Sequence, residues 1–298
     1  MNLRCIRFEC VVTHEFALRG KNGAYELPAI LHGALGREMH RYGDSRLAEM
    51  FESKRTLNDA KQDGGPFNTP PPPIGLGRMF VLAQENRLVP GELFAAELFI
   101  LGGAPETVRE VIECFALAGA HGIGRPSEDG GLRGGFAVLD VLECGYRSIG
   151  SEAAIFRNDA FAAGCSVEFL SPLSLKWLSP EATPAFSDLM KACHERLVKS
   201  LWASYGQGAH PFSFSPEASR RIKLQSGETC VERWAKHLGD GSARPGGAPY
   251  AGCIGWASYV GDIRPFLSPL FMACRVGIGQ GSAMGLGRLL IRPFGESV

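Results

Sequence analysis

A glycine-rich stretch near the C-terminal end constrains the fold most strongly. Five glycines fall within the eleven residues 277–287, after an apolar stretch with helical periodicity and before a short apolar stretch typical of a strand. Glycine adopts positive φ angles at little cost and lets another backbone approach closely. The stretch therefore predicts a tight loop, called here the glycine-rich loop, that packs against its own domain or holds a ligand against its backbone.

The start of this loop has a counterpart about half of the 298-residue chain earlier. Gly122-Ile123-Gly124 and Gly277-Ile278-Gly279 each follow an amphipathic helical segment and precede a strand-like segment. Self-similarity at a long, fixed spacing is the signature of a repeated supersecondary unit. The chain is therefore expected to contain two copies of one unit.

The first copy has the order β-α-β-β-α-β, which is that of the ferredoxin-like unit. Apolar periodicity indicates its six elements at about 3–18, 28–42, 78–84, 92–101, 105–119 and 136–144. Pro28 suits a first helical turn. The polar segment 43–77, which ends in four consecutive prolines, predicts a loop or insertion.

The second copy follows the same scheme, with elements at about 165–176, 183–205, 253–259, 263–275 and 288–291. Residues 206–250 are rich in glycine, proline and charge, and they fit a strand pair, a helix near 230–238, or both. We therefore predict an α+β protein with tandem ferredoxin-like (RRM-like) domains at 1–148 and 160–298, the second with a basic insertion at about 206–250.

Composition narrows the function classes. The chain has 31 basic and 31 acidic residues, so nucleic-acid binding would have to depend on local basic clusters. No run of about 18 apolar residues predicts a membrane helix, and the first residues resemble a strand rather than a signal peptide. Nine scattered cysteines form no CxxC pair. We therefore expect a cytoplasmic protein without a metal site, a small-molecule cofactor or a membrane partner.

The order of elements around the glycine-rich loop argues against nucleotide cofactors. A dinucleotide fingerprint needs a strand, then the glycines, then a helix, whereas here a helix precedes and a strand follows. No GxxxxGK[ST] motif is present either. Ferredoxin-like domains are a common RNA-binding scaffold, and backbone N–H groups of a glycine loop can line an RNA backbone. The other interpretation of the glycine pattern is that the loop only needs to pack tightly against its own domain.

Three stretches resemble a known family: residues 31–37 (LHGALGR), 255–262 (GWASYVGD) and 274–289, which contains the glycine-rich loop. With the domain order, they resemble the RAMP superfamily of CRISPR proteins, and most closely its repeat-RNA-processing endoribonucleases, the Cas6 family. Loops of that family often carry Lys or Arg among the glycines, where this chain has Gln280 and Ser282. Positive charge for RNA phosphates would then come from Arg275 and Arg288.

The resemblance implies cleavage of CRISPR precursor RNA within each repeat, at the base of a hairpin. The 2′-hydroxyl attacks the adjacent phosphate and leaves 2′,3′-cyclic phosphate and 5′-hydroxyl ends, without a metal ion. The implied partners are the repeat RNA, the retained crRNA and other CRISPR effector subunits. Two alternatives stay open: a non-catalytic RAMP-type subunit that binds crRNA, and a small-molecule enzyme on a ferredoxin-like scaffold.

The resemblance also implies catalytic residues on or around the first helix. Candidates with suitable chemistry there are His40, His32, Arg37, Tyr25, Lys21 and Arg19. His32 and His40 are about two helical turns apart, so they share one side of the helix. A histidine acid/base and an arginine-based site both remain open, with His14 a lesser candidate. The other histidines, including His121, are interpreted as structural or solvated.

RNA binding is assigned to two groups of residues. The first is the basic insertion, with Arg220, Arg221, Lys223, Arg233, Lys236 and Arg244. The second is the glycine-rich loop and its ends, with Arg275, Gly277, Gly279, Gln280, Gly281, Gly285, Gly287 and Arg288. For any single basic residue of the insertion, a merely solvated position is the competing interpretation.

Overall fold

Both halves of the chain form a four-stranded antiparallel sheet with helices packed on it. The computed structural model describes residues 2–17, 23–42, 47, 74–82, 87–102, 105–123, 134–148, 158–205, 215–234, 250–282 and 285–294. Arg19, Lys21, Lys236, Arg244 and the proline run lie outside these residues.

The first unit consists of β1 (Asn2–His14), α1 (Gly23–Arg41), β3 (Ile74–Leu82), β5 (Leu93–Gly102), α2 (Pro105–Ala120) and β6 (Gly135–Ser148). Two short strands, β2 (Phe16–Ala17) and β4 (Arg87–Leu88), pair with each other. The sheet order is β3-β5-β1-β6. Alternate residues of β1, among them Ile6 and Phe8, are fully buried in one core with Leu31 of α1 and Phe115 of α2. The period of two in β1 and the helical period in α1 and α2 thus place one apolar face against the other.

The second unit consists of β7 (Gly164–Leu173), α3 (Phe186–Tyr205), α4 (Pro216–Arg221), β8 (Lys223–Trp234), β9 (Tyr250–Val260), α5 (Leu267–Val276) and β10 (Leu289–Pro293). Its sheet order is β10-β7-β9-β8. Phe186 lies at the centre of the core, with its ring centroid 5.5 Å from that of Tyr259 and 5.2 Å from that of Phe266. Both sheets have the strand order of the ferredoxin-like fold, so the predicted fold class is confirmed.

The two units pack against each other through the first sheet. Helix α3 contacts β3 and β5, and α5 contacts β3. Leu98 and Ile100 of β5 belong to the first core, so Phe99, which is buried outside that core, faces the other side of the sheet. Met272 of α5 is likewise buried outside the second core. The first sheet therefore lies between the α1–α2 layer and the helices of the second unit.

Several element boundaries differ from the sequence-based prediction. Helix α1 begins at Gly23, so Pro28 lies inside it rather than in its first turn; near the helix start a proline removes a single backbone hydrogen bond. Helix α3 begins at Phe186, where the Asp188 carboxylate accepts a hydrogen bond from the Ala185 N–H (3.1 Å). Of the alternatives left open for 206–250, the helix near 230–238 is wrong over Cys230–Trp234, because this segment pairs with β9 as part of β8.

Candidate functional site

The glycine-rich loop follows a backbone path that favours glycine at each of its five glycine positions. The φ angles are 65° at Gly277, 81° at Gly279, 72° at Gly281, 84° at Gly285 and 65° at Gly287. A Cβ atom at Gly287 would lie 1.8 Å from the carbonyl oxygen of Ile278. Close packing therefore explains part of the glycine pattern.

Two amides of the loop dock it on the segment at the end of β7. The N–H of Gln280 donates to the Ser174 carbonyl (2.9 Å), and that of Gly287 donates to the Pro172 carbonyl (3.0 Å). The Ser171 hydroxyl, buried under the loop, accepts from the Arg288 N–H (2.8 Å) and donates to the Gly285 carbonyl (3.1 Å). No local pattern predicts this role for Ser171, because its partners are more than 100 residues away in sequence.

Two amides of the loop, those of Gly279 and Gly281, belong to partly exposed residues and are open to a ligand. The N–H groups of Gly279, Gly281 and Ser282 donate no hydrogen bond to any residue that the structure describes. Ser282 is buried, at 5% exposure, whereas Gly279 and Gly281 are partly exposed, and unpaired backbone N–H groups in a turn are suited to binding an anion. The loop thus combines tight docking with a short stretch of unused donors, so the two interpretations of its glycines are compatible.

Arg275 and Arg288 lie at the two ends of the loop. Arg275 is exposed, whereas Arg288 is half-buried, and burial lowers its pKa. The charge of Glu97, on β5 of the first unit, opposes this shift, and that of Arg275 adds to it. Glu97 is next to Leu98 in the strand and so faces away from α1. Arg288 therefore lies on the face of the first sheet opposite α1.

The side chain of Gln280 has a specific partner. Its Oε1 atom accepts a hydrogen bond from the Ser174 hydroxyl at 3.1 Å. A Lys or Arg side chain has no acceptor atom and would not make this bond. The neutral residue in the loop thus contributes to docking, and the charged groups are left to the ends of the loop.

The first unit has its own version of this loop start. Gly122 has a φ angle of 83°, and the buried Ile123 donates its N–H to the Gly134 carbonyl at 2.6 Å. In the second unit, Ile278 donates in the same way to the Gly287 carbonyl at 3.1 Å. The similar sequences at Gly122 and Gly277 therefore form the same hydrogen-bonded arrangement in both units.

The structure describes the C-terminal part of α1 and the catalytic candidates on it. His40 is exposed, His32 is partly buried, and one Arg37 amino group donates to the Gly122 carbonyl at 2.9 Å. Tyr25 lies within the first turns of α1, but its side chain is outside the described part. Arg37 thus links α1 to the loop of the first unit.

The buried carboxylate of Glu38 contacts Arg37, Arg41 and His121. It is 2% exposed, and its oxygens lie 2.9 Å from His121 Nδ1, 3.1 Å from an Arg41 nitrogen and 3.4 Å from Arg37 Nε. Burial by itself raises the pKa of Glu38, but the hydrogen bond from His121 and the charge of Arg41 outweigh it, so the pKa lies below its usual value. Glu38 was not among the sequence candidates, and His121 was interpreted as structural or solvated.

The basic residues of the insertion lie apart from this cluster. Arg220 and Arg221 are exposed in the last turn of α4, and Lys223, at the start of β8, donates to the Arg220 carbonyl at 3.2 Å. Arg233 is paired with Glu181 at 3.1 Å, so its charge is partly neutralised. The structure thus brings three of the six predicted basic residues together on one surface.

The described part of the chain contains neither a disulfide nor a metal-binding group of side chains. The eight described cysteines form no disulfide with one another, and burial raises the pKa of Cys10 and of Cys165 to about 12 in each case. No group of three or more His, Cys, Asp or Glu side chains that could hold a metal ion occurs among the described residues. None of the described helices is long and apolar enough to span a bilayer.

The chain thus combines two ferredoxin-like units with a glycine-rich loop that docks at the end of β7. Residues 167–289 match the family model described as CRISPR-associated endoribonuclease Cas6. No curated protein matches the sequence.

Solved structures extend the similarity of fold to the whole chain. A Cas6 product complex is 16% identical, with a TM-score of 0.51 over 98% of this chain and 100% of that one. Thermus thermophilus Cas6 is 12% identical, with a TM-score of 0.52 over 97% and 98%. A partial Cas6-RT-Cas1–Cas2 complex is 12% identical, with a TM-score of 0.56 over 100% of this chain and 47% of that one. The likeness to these structures is one of fold, and the family model matches residues within the second unit.

Proposed function

We propose that this protein is an endoribonuclease that cleaves CRISPR precursor RNA within the repeat and retains the mature crRNA. The observation that carries the proposal is the match of residues 167–289 to the Cas6 endoribonuclease family. The structural neighbours include Cas6 complexes with a product and with a substrate mimic. The available loop amides and the exposed basic surface of α4 are features that RNA binding would use.

The proposed reaction is metal-independent transesterification. The 2′-oxygen attacks the adjacent phosphorus, the bond to the 5′-oxygen breaks, and the products carry 2′,3′-cyclic phosphate and 5′-hydroxyl ends. Such a reaction needs a proton acceptor and positive charge beside the phosphate. His40, His32 and Arg37 remain candidates on α1, as do Tyr25, Lys21 and Arg19 from the sequence.

Cleavage is tested with a labelled RNA that carries the repeat of the CRISPR array in the genome of origin. We expect the protein to cut this RNA at one position in EDTA, and mass spectrometry to find the cyclic phosphate. The matched control is the same RNA with 2′-deoxyribose just upstream of the cut, which should remain intact. Dependence on added Mg²⁺ would contradict the metal-independent reaction. Tight binding without any cut would instead favour the alternative, a non-catalytic RAMP-type subunit.

We further propose that Arg220, Arg221 and Lys223 bind the phosphates of the repeat RNA. Each phosphate contact contributes about 0.7 to 0.9 to the slope of log affinity against log salt concentration. Replacement of all three residues by glutamine should therefore make the slope less negative by about 2 in a filter-binding titration. Arg264→Gln is the control, because Arg264 is already paired with Asp262 at 2.7 Å. Equal slopes for the wild-type and triple-variant proteins would exclude this surface as an RNA contact.

A further inference from the structure

The cluster around Glu38 holds one histidine in a defined orientation. A carboxylate accepts hydrogen bonds, so the 2.9 Å contact requires Nδ1 of His121 to carry the proton. In the neutral imidazole, Nε2 then has the lone pair. The His121 side chain is 50% exposed, while the Glu38 side chain is 2% exposed. A buried acid thus fixes the ring of a histidine that solvent can reach, as in the acid–histidine pairs of hydrolases.

Positive charge surrounds this pair. The charged and titratable groups that face Glu38 are Arg37 and Arg41 from α1, and His121 and Cys114 from the side of α2. Burial, and secondarily the charge of Glu38, raise the pKa of Cys114 to about 11, so its thiol stays neutral. The Arg37 and Arg41 side chains are 33% and 57% exposed, so both can approach an anion next to His121.

The position of His121 in the fold also favours an RNA-facing role. It directly precedes Gly122, at the loop start of the first unit that matches the glycine-rich loop of the second. Arg37 donates to the Gly122 carbonyl at 2.9 Å, so it holds this loop start and lies beside Glu38 at the same time. The place where α1 packs beside the end of α2 therefore combines an oriented imidazole, two guanidinium groups and a glycine turn.

We propose that His121 is a catalytic residue of the RNA cleavage, that Glu38 positions it, and that Arg37 and Arg41 stabilise the charge on the phosphate. This inference rests on the proposed endoribonuclease function. Nε2 of His121 accepts the proton of the 2′-hydroxyl while the 2′-oxygen bonds to phosphorus. The bond from phosphorus to the 5′-oxygen breaks, and the 5′-oxygen takes a proton from water. The imidazolium then returns its proton to solvent, and the two arginines interact with the extra negative charge throughout.

The decisive variant is His121→Ala, measured by single-turnover cleavage of the repeat RNA. Loss of an acid/base group typically costs 10²- to 10⁴-fold in rate, so we expect a fall of about 100-fold or more. RNA affinity should stay within about threefold, because the substitution removes no permanent charge. Added imidazole should restore part of the rate. His121→Ala protein that cleaves at the wild-type rate would overturn the inference.

Tyr42→Phe is the matched control for a merely structural link between α1 and α2. The Tyr42 hydroxyl, just past the end of α1, donates to Glu113 of α2 at 2.8 Å, so this bond joins the same two helices away from Glu38. We expect Tyr42→Phe to cleave at the wild-type rate. An equal loss of rate in Tyr42→Phe and His121→Ala would overturn the catalytic role in favour of a structural one. If the wild-type protein does not cleave, the proposed function fails first, and the inference fails with it.

Glu38 is tested as a positioning residue by a double-mutant cycle. Glu38→Gln should slow cleavage and alter the pH–rate profile, because the charge next to the imidazole is lost. In the His121→Ala background the same substitution should have little further effect, since a group that acts through His121 has nothing left to position. Additive effects would contradict the positioning role. If Glu38→Gln fails to fold, the His121→Ala rate and its imidazole rescue still decide the catalytic role.

Discussion

Replacement of Phe186 by alanine is expected to lower the free energy of unfolding by about 3 to 5 kcal/mol, the largest effect anticipated for this chain. The ring is fully buried and has edge contacts with Tyr259 and Phe266. Its removal loses the free energy of transferring the ring out of water. It also leaves a cavity whose lining side chains lose their contacts with the ring. Denaturant unfolding followed by circular dichroism measures the change.

Phe294→Ala is the matched control, because the same atoms are removed from a side chain that is 39% exposed. Its effect should be below about 1 kcal/mol. Similar losses for the two variants would mean that Phe186 is not in the core of the second unit. A loss below about 1 kcal/mol for Phe186→Ala would contradict the packing described here.

The second large effect is expected for Gly287→Ala. The φ angle of 65° is costly for a residue with a Cβ atom, and that atom would meet the Ile278 carbonyl oxygen at 1.8 Å. The loop must then move and lose hydrogen bonds, so we expect a loss of about 3 kcal/mol in the free energy of unfolding. Affinity for the repeat RNA should fall about tenfold, as the loop amides lose their positions.

Gly33→Ala is the control for a glycine without such constraints. It lies on the exposed side of α1, and nothing lies within 4 Å of the added Cβ position. Alanine favours a helix over glycine, so this variant should be more stable by about 0.5 to 1 kcal/mol. A Gly287→Ala protein with wild-type stability would show that the loop relaxes without strain. Wild-type RNA affinity in a destabilised variant would separate the loop from RNA binding.

The order of helices and strands along the chain was predictable from the sequence because its signals are local. Each helix shows its apolar face within a few turns, and each glycine turn marks its end. The similar sequences at Gly122 and Gly277 then indicated that the same supersecondary unit occurs twice. Boundaries were less accurate where a distant partner decides the conformation. Residues 230–234 form a strand because β9 lies beside them, and this neighbour is not visible in the local periodicity.

The candidate site could be predicted only in part, for the same reason. Arg37 was singled out through its position on α1, but its neighbours Glu38 and His121 are 83 residues apart in sequence. Neither has an unusual local pattern. Only the packing of α1 against α2 brings them together, and the burial of Glu38 becomes visible at that stage. The role of Gln280 was hidden for the same reason. Its side chain accepts a hydrogen bond from Ser174, which is distant in the sequence.

RNA contacts are assigned to the basic surface of Arg220, Arg221 and Lys223 and to two further surfaces, which the first sheet separates. Arg288 and the glycine-rich loop lie on one side, and α1 with its arginines lies on the other. A helix with its side chains is already about 10 Å across, so the sheet and the helix layer on it are together thicker than that. An RNA that reaches both surfaces must therefore pass around the sheet, which a stiff duplex does less readily than a single strand. The path around the sheet would then set the number of nucleotides between the nucleotide bound at the glycine-rich loop and the nucleotide that is cut.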